Sequence, residues 1–163
     1  MSLIAAAIVV AAGVAGLVRG AMPQTVAGAS APASQPNPIV ISGAYVREPA
    51  NGINAAAYFT VYNLSDTADT LETVASGAGA QTTLHTSDAG GGMQPSGGLT
   101  IPAHGSYSLT PSKGHVMIEK LYGPLKAGQS VNLQLTFARA GEVLVTAPVI
   151  GVTEALPTPG VPK

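Results

Sequence analysis

The chain has no cysteine and no tryptophan, and only 9% of its 163 residues carry a charge. The absence of cysteine excludes a disulfide framework, a thiolate zinc site and a cysteine nucleophile, and it argues against a lipid attached to cysteine. The formal net charge is −1, with no run of either sign. Because nothing in this composition would neutralise a phosphate backbone, we expect no nucleic-acid partner.

The first apolar run, Leu3 to Val18, is rich in alanine and valine. Its length lies between the about 7–15 residues of a secretory signal core and the about 20 residues of a membrane-spanning helix. Small residues at Ala27-Gly28-Ala29 offer a cleavage site, so we favour an export signal over a retained membrane anchor. Either interpretation predicts a periplasmic or extracytoplasmic protein. Residues 1–36 would then comprise this segment and an Ala/Ser/Pro linker with too little apolar surface to fold.

Residues 37–150 carry apolar side chains at a period of two, which is typical of half-buried strands. Seven to nine short strands are predicted, the candidates being Ile39–Val46, Ala57–Tyr62, Thr70–Ala75, Gln81–His85, Leu99–Ile101, Ser106–Thr110, His115–Leu121, Val131–Phe137 and Glu142–Pro148. Strands at this close spacing, without any helical stripe, predict an all-β domain that is an antiparallel β-sandwich or Greek-key barrel. The proline-rich residues 151–163 are predicted to form a flexible tail.

The histidines and methionines are concentrated in one stretch. All three histidines, and both methionines that lie beyond the leader, fall between His85 and Met117. His115 and Met117 are two residues apart, so on a strand they would share one face. Met93 follows a run of three glycines, where a methionine is hard to explain as part of the core, and we interpret it as a loop ligand that swings onto the site. We expect His85 and His115 to lie at strand ends, His115 near a sheet edge.

Imidazole and thioether together form a neutral, soft ligand set. Such ligands favour Cu(I) over Zn(II) and bind Mg or Ca poorly. A closed shell of these groups leaves no water to activate, so we expect a site that holds and transfers an ion, and no enzymatic activity. Blue-copper electron transfer is excluded because its thiolate bond requires cysteine.

The spacing Met93-x21-His115-x-Met117, with His85 upstream, resembles the periplasmic copper(I) chaperones known as PCuAC. These are cupredoxin-like β-domains that carry copper to the CuA centre of cytochrome c oxidase. The resemblance extends over about residues 39–149, with flanking likeness at Ile41–Arg47, Ala56–Asn63, Leu99–Ala103 and Phe137–Val143. It implies that His85, Met93, His115 and Met117 bind one Cu(I), and that the recipient is a cytochrome c oxidase subunit or an assembly factor.

The chain departs from the family pattern in three places. The extra methionines that often surround the first histidine of the family are absent, and Thr86 and Gln94 stand where further sulfur would be expected. Seven residues separate His85 from Met93, where the family has about ten, and the closing residues Leu156–Lys163 contain no histidine or methionine for a second copper site. His104 lies in a turn outside the pattern, and we expect it to be solvated. The group Asp66, Asp69 and Glu72 is interpreted as a solvated turn, because it lacks the dense alternating oxygen ligands of a calcium loop.

Alternative interpretations remain open at this point. Taken singly, a strand histidine is usually hydrogen-bonded and a methionine such as Met117 usually fills a core. The chain could therefore be a cell-surface β-sandwich that acts as a binding or structural module, or it could sequester copper for tolerance. Nothing in the sequence indicates an oligomer, so we expect a monomer.

Overall fold

The computed structural model describes residues 37–88 and 90–162, and within them every regular element is a strand. The predictions for residues 1–36, namely the export signal or anchor and its linker, lie outside these residues. The ten strands are β1 (Ile39–Arg47), β2 (Ala55–Asn63), β3 (Asp69–Ser76), β4 (Gly79–Ser87), β5 (Met93–Pro95), β6 (Leu99–Ile101), β7 (Ser106–Ser108), β8 (Gly114–Leu121), β9 (Ser130–Phe137) and β10 (Gly141–Ile150). Among the described residues there is no helix long and apolar enough to cross a bilayer.

The strands form one continuous curled sheet in the order β5-β4-β8-β2-β1-β10-β9-β3-β6, and β7 pairs with β2. The pairing is antiparallel except between β1 and β10, which run parallel at Val46↔Val149 and Arg47↔Ile150. The predicted all-β fold is confirmed, but the sheet is mixed and not wholly antiparallel. The parallel contact joins the first and last strands of the domain, a long-range closure that local sequence patterns do not encode.

Apolar and polar residues alternate along the strands, and the apolar side chains pack between the two halves of the curled sheet. On β9, Val131, Leu133, Leu135 and Phe137 are all buried, as their spacing predicts. Phe59 and Val61 of β2 pack into the same apolar cluster from the opposite half. The residues between them face outward, so each strand has a core face and an outer face. The outer face of β2, β4, β5 and β8 carries the histidines and methionines discussed below.

The turn that contains Asp69 differs from the prediction. Asp69 is buried and not solvated. Its carboxylate accepts hydrogen bonds from the backbone N–H groups of Thr70, Arg139 and Ala140 at 2.7–2.9 Å. A buried carboxylate is tolerated where several donors satisfy it, and here those donors come mainly from a turn distant in sequence. Asp69 therefore fastens the start of β3 to the β9–β10 turn, a structural role.

The C-terminal segment lies along the outer side of β1. Arg47 Nη1 donates a hydrogen bond to the Gly151 carbonyl oxygen at 2.6 Å. Leu156 and Pro159 line a cavity of about 310 Å³ together with Tyr45 and Phe59. Gly43, whose φ is +61°, faces Pro159 closely enough that a side chain at position 43 would crowd the proline ring. The segment is thus in contact with the sheet near its aromatic residues.

The two leucines at 133 and 144 provide a matched test of the core. Leu133 is fully buried, whereas Leu144 on the neighbouring strand is 77% exposed. Leu133→Ala should lower the free energy of unfolding by about 2–5 kcal/mol, because it removes buried methyl groups and leaves a cavity. Leu144→Ala should change it by about 0.5 kcal/mol or less. Urea denaturation of both variants checks this, and equal effects would contradict the assignment of the core.

Candidate metal centre

The pairing of β4 with β8 places His85 directly opposite His115. Leu84 and Val116, the adjacent residues, point into the core, so the two histidines must point to the outer face. Their rings stack with centroids 5.2 Å apart and planes 26° apart. Both side chains are half-buried. The structure therefore brings together two histidines that are thirty residues apart in the chain.

Met117 lies on the same outer face, two residues along β8 from His115. It is paired with Thr83 on β4 and with Ala56 on β2. Opposed residues of an antiparallel pair have Cβ atoms about 4.5–5.5 Å apart and diagonal neighbours lie about 7–8 Å apart, so Met117 is a diagonal neighbour of His85. Both residues paired with Met117 have side chains smaller than methionine, and Met117 is itself half-buried.

Met93 also lies on this face, but on the other side of β4. It is the first residue of β5 and is paired with Ser87, while Pro95 is paired with His85. The preceding glycine run forms an ordered hairpin in which the Asp88 carboxylate accepts hydrogen bonds from Gly90 and Gly92 at 2.8–2.9 Å. Met93 is therefore a strand residue and not the loop methionine predicted from the sequence.

The histidines do not lie where the sequence suggested within their strands. β8 is flanked by β4 and β2, so His115 is on an interior strand and not near a sheet edge. His85 is followed in β4 by two more strand residues and does not end the strand. The edge of this half of the sheet is β5, which pairs only with β4. The two corrections have separate causes: β2 and β4 both pair with β8, and the short strand β5 extends β4 beyond His85.

A pair of tyrosines, missed by the sequence analysis, bounds the site on the β2 side. The ring centroids of Tyr58 and His115 are 6.2 Å apart. Tyr45 stacks on Tyr58 with ring centroids 5.0 Å apart. Both tyrosines are almost fully buried, in a small cluster with Ile150 on the outer side of the sheet. Alternation along β2 assigns Tyr58 to the solvent-exposed face. A large aromatic residue at such a position is usually packed against another side chain, and this signal in the sequence could have predicted the pair.

The electrostatics of the site favour neutral ligands. Burial, and to a lesser degree the neighbouring His85, lower the pKa of His115. His85 Nδ1 is buried and has no hydrogen-bond partner among the described residues. Nor do those residues include any cluster of three or more histidine, aspartate or glutamate side chains. A metal bound here would thus need the thioethers, and two imidazoles with thioether sulfur suit a soft, low-charge cation such as Cu(I).

His104 does not belong to this group. Its Nε2 lies 2.7 Å from Asp66 Oδ1, and both side chains are largely exposed to solvent. The residue has a φ of +51° in the turn between β6 and β7. His104 is thus the solvated turn residue that the sequence predicts, and it provides a matched control for the histidine pair.

The lowered pKa of His115 should make the metal-free domain less stable in acid. Between this lowered pKa and the unperturbed value of about 6.5, the unfolded chain binds more protons than the folded domain. The contribution of His115 is therefore fully present above about pH 6.5 and is lost as pH falls through the lowered pKa. NMR titration of the His115 ring protons should give a midpoint below 6.5, and His115→Asn should flatten the decline in urea midpoint. A midpoint above 6.5 would contradict this.

The chain matches the family model described as "Putative lipoprotein LpqE-like" over residues 39–149. A sequence relative, "Putative lipoprotein Lxx21020" of Leifsonia xyli subsp. xyli (strain CTCB07), is 29% identical over 127 residues, which are 76% of this chain and 76% of that protein. That relative and the family are named as lipoproteins, whereas this chain contains no cysteine.

Solved structures extend the comparison. The solution structure of copper(I)-bound DR1885 from Deinococcus radiodurans is 34% identical with a TM-score of 0.61, covering 72% of this chain and 81% of that one. Apo-DR1885 is 32% identical with a TM-score of 0.59, covering 86% and 97%. The copper-bound PCuAC domain from PmoF2 shares the fold at 24% identity and a TM-score of 0.62, covering 70% and 93%. These matches confirm the expected cupredoxin-like fold, which this chain shares with PCuAC domains, and the chain belongs to the LpqE-like family.

Proposed function

We propose that this protein is an extracytoplasmic copper chaperone that binds one Cu(I) through His85, Met93, His115 and Met117 and passes it to a cuproprotein. The observation that carries the proposal is the stacked histidine pair with a methionine on each flank, all on one outer face of the sheet. Copper is the cargo of such a protein, so the site must both hold the ion and release it.

The chemistry of the donors supports this proposal. Burial lowers the pKa of His115 and so favours its neutral form, and among the described residues no group of three or more histidine and carboxylate side chains is placed to hold a metal. Neutral imidazoles with thioether sulfur select a soft monovalent ion by softness and not by charge. The unsatisfied Nδ1 of His85 is the kind of buried polar atom that a bound ion explains. DR1885, whose solution structure is that of a copper(I) form, is 34% identical to this chain.

The position of the site supports transfer over storage. All four side chains are half-buried on an outer face, beside the edge strand β5, so a second protein can approach them. The recipient that we propose is the CuA site of cytochrome c oxidase or one of its assembly factors. The lipoprotein names of the family and of the Leifsonia relative support a location outside the cytoplasm. The apolar run from Leu3 to Val18 would serve there as the signal or the anchor.

Competition for Cu(I) against a chromogenic chelator tests the binding step. The protein should remove one Cu(I) per chain, and His85→Ala or His115→Ala should weaken binding at least 100-fold, since even groups that merely orient metal ligands are worth about 10–100-fold. His104→Ala should bind copper as the unaltered protein does, because that histidine pairs with Asp66.

Two outcomes would count against the proposal. If the protein fails to compete for Cu(I), the cell-surface binding module becomes the better interpretation. If the three histidine variants weaken binding equally, the stacked pair is not the site. Sequestration for tolerance uses the same ligands, and it would be indicated by tight binding with no transfer to the apo CuA domain.

A further inference from the structure

We propose that Tyr58 is a positioning residue for the metal centre: its ring, backed by that of Tyr45, holds the His115 imidazole in the orientation that binds Cu(I). Tyr58 acts through His115 and does not itself bind the ion. This inference rests on the copper-binding function proposed above and adds a residue to the machinery of that same site.

Four rings form one row across the outer face of the sheet. Their strands, β4, β8, β2 and β1, are consecutive neighbours. His85 is paired with His115 across β4 and β8, and Tyr58 is paired with Tyr45 across β2 and β1. The β2–β8 ladder is in register up to Ala57, the residue next to Tyr58, so Tyr58 lies level with His115. The two pairs therefore join into a single row.

The rings of this row are in contact from one end to the other. The centroid distances are 5.2 Å within the histidine pair, 6.2 Å between His115 and Tyr58, and 5.0 Å within the tyrosine pair. All three distances lie within the range of about 4.5–7 Å at which aromatic rings interact. The His115 imidazole is thus confined between one ring on the β4 side and another on the β2 side.

The tyrosine side of the row is the more firmly packed. Tyr58 and Tyr45 are buried together with Ile150, whereas both histidines are only half-buried. Tyr45 also lines a cavity together with Leu156, so the C-terminal segment lies at the far end of the row. A buried ring in a close-packed cluster cannot move aside without disturbing its neighbours. Tyr58 therefore forms a fixed wall against which the imidazole rests.

A histidine ligand needs such a wall because its ring turns easily. The χ2 torsion of histidine is broad and roughly two-fold, and a half-turn puts a ring carbon where a nitrogen was. Metal-binding histidines are usually oriented by a hydrogen bond from the second ring nitrogen. Among the described residues, the histidine ring with a side-chain hydrogen-bond partner is that of His104, and Nδ1 of His85 has no partner. Packing against Tyr58 supplies for His115 the orientation that a hydrogen bond supplies in other sites.

Three substitutions separate the ring of Tyr58 from its hydroxyl group and from general effects of packing. Tyr58→Phe should bind Cu(I) within about twofold of the unaltered protein in the chelator competition, because the ring contact persists. Tyr58→Leu should weaken binding about tenfold, the lower end of the range for groups that orient metal ligands. Tyr62→Leu is the matched control. Tyr62 lies on the same strand and face but is level with Ser106, so its loss should leave the affinity unchanged.

NMR of the metal-free full chain provides a readout that does not depend on copper. Nuclear Overhauser contacts between the rings of residue 58 and His115 should be present in the unaltered protein and in Tyr58→Phe. Carbon relaxation of the His115 ring should show larger motion in Tyr58→Leu and no change in Tyr62→Leu. If Tyr58 contributed only to stability, Tyr58→Leu would lower the urea midpoint without altering the motion of this ring or the affinity for Cu(I).

Tyr45→Leu tests the backing ring and decides the question if Tyr58→Leu fails to fold. It should weaken Cu(I) binding about threefold, and the double leucine variant should bind no more weakly than Tyr58→Leu, because Tyr45 acts through Tyr58. Unchanged affinity in the leucine variants, or equal losses in Tyr58→Phe and Tyr58→Leu, would overturn the positioning role while leaving the copper site intact. An unaltered protein that takes up no Cu(I) would instead overturn the proposed function itself.

Discussion

The register between β4 and β8 is the constraint on which both the core and the site depend. Seven residue pairs, from Gly79↔Leu121 to Thr86↔Gly114, hold these strands together. A slip of one residue would turn Leu84 out of the core and His85 into it. The burial of apolar side chains on one face therefore fixes the opposition of the histidines on the other. Gly114 contributes to this closeness, because a side chain there would come within 2.6 Å of the His85 carbonyl oxygen.

The dependence on strand register explains which features of the fold and site the sequence alone could predict. The alternation at Val131–Phe137 predicts a half-buried strand because burial on one face is a local pattern. The spacing of His115 and Met117 predicts a shared face for the same reason. Opposition of His85 and His115 is different, since they lie thirty positions apart in the chain and the pairing register arises only when the whole sheet assembles. The sequence could name the four candidate ligands, but it could not order them in space.

The features that the sequence analysis missed are all tertiary. β5 has only three residues, one of them Pro95, and follows three glycines, so no period could identify it. Asp69 resembles a turn residue until the β9–β10 turn supplies two of its three donors. Tyr58 occupies a position that alternation assigns to solvent, yet Tyr45 covers it through the β1–β2 pairing. In each case a partner from a distant segment decides the environment.

The short connection between His85 and Met93 links these observations to function. The seven residues between His85 and Met93 form the end of β4 and a tight hairpin. Met93 therefore lies in strand β5 and not at the tip of a loop. A loop ligand could release copper by moving its backbone, at little cost in free energy if few bonds hold it. A strand ligand held by ladder bonds must instead exchange through its side chain alone. Methionine suits this task, because its unbranched thioether has three rotatable bonds and is soft enough to bind and release Cu(I). Under the proposed copper-transfer function, the rigid sheet would hold the ligands in place and their side chains would supply the motion.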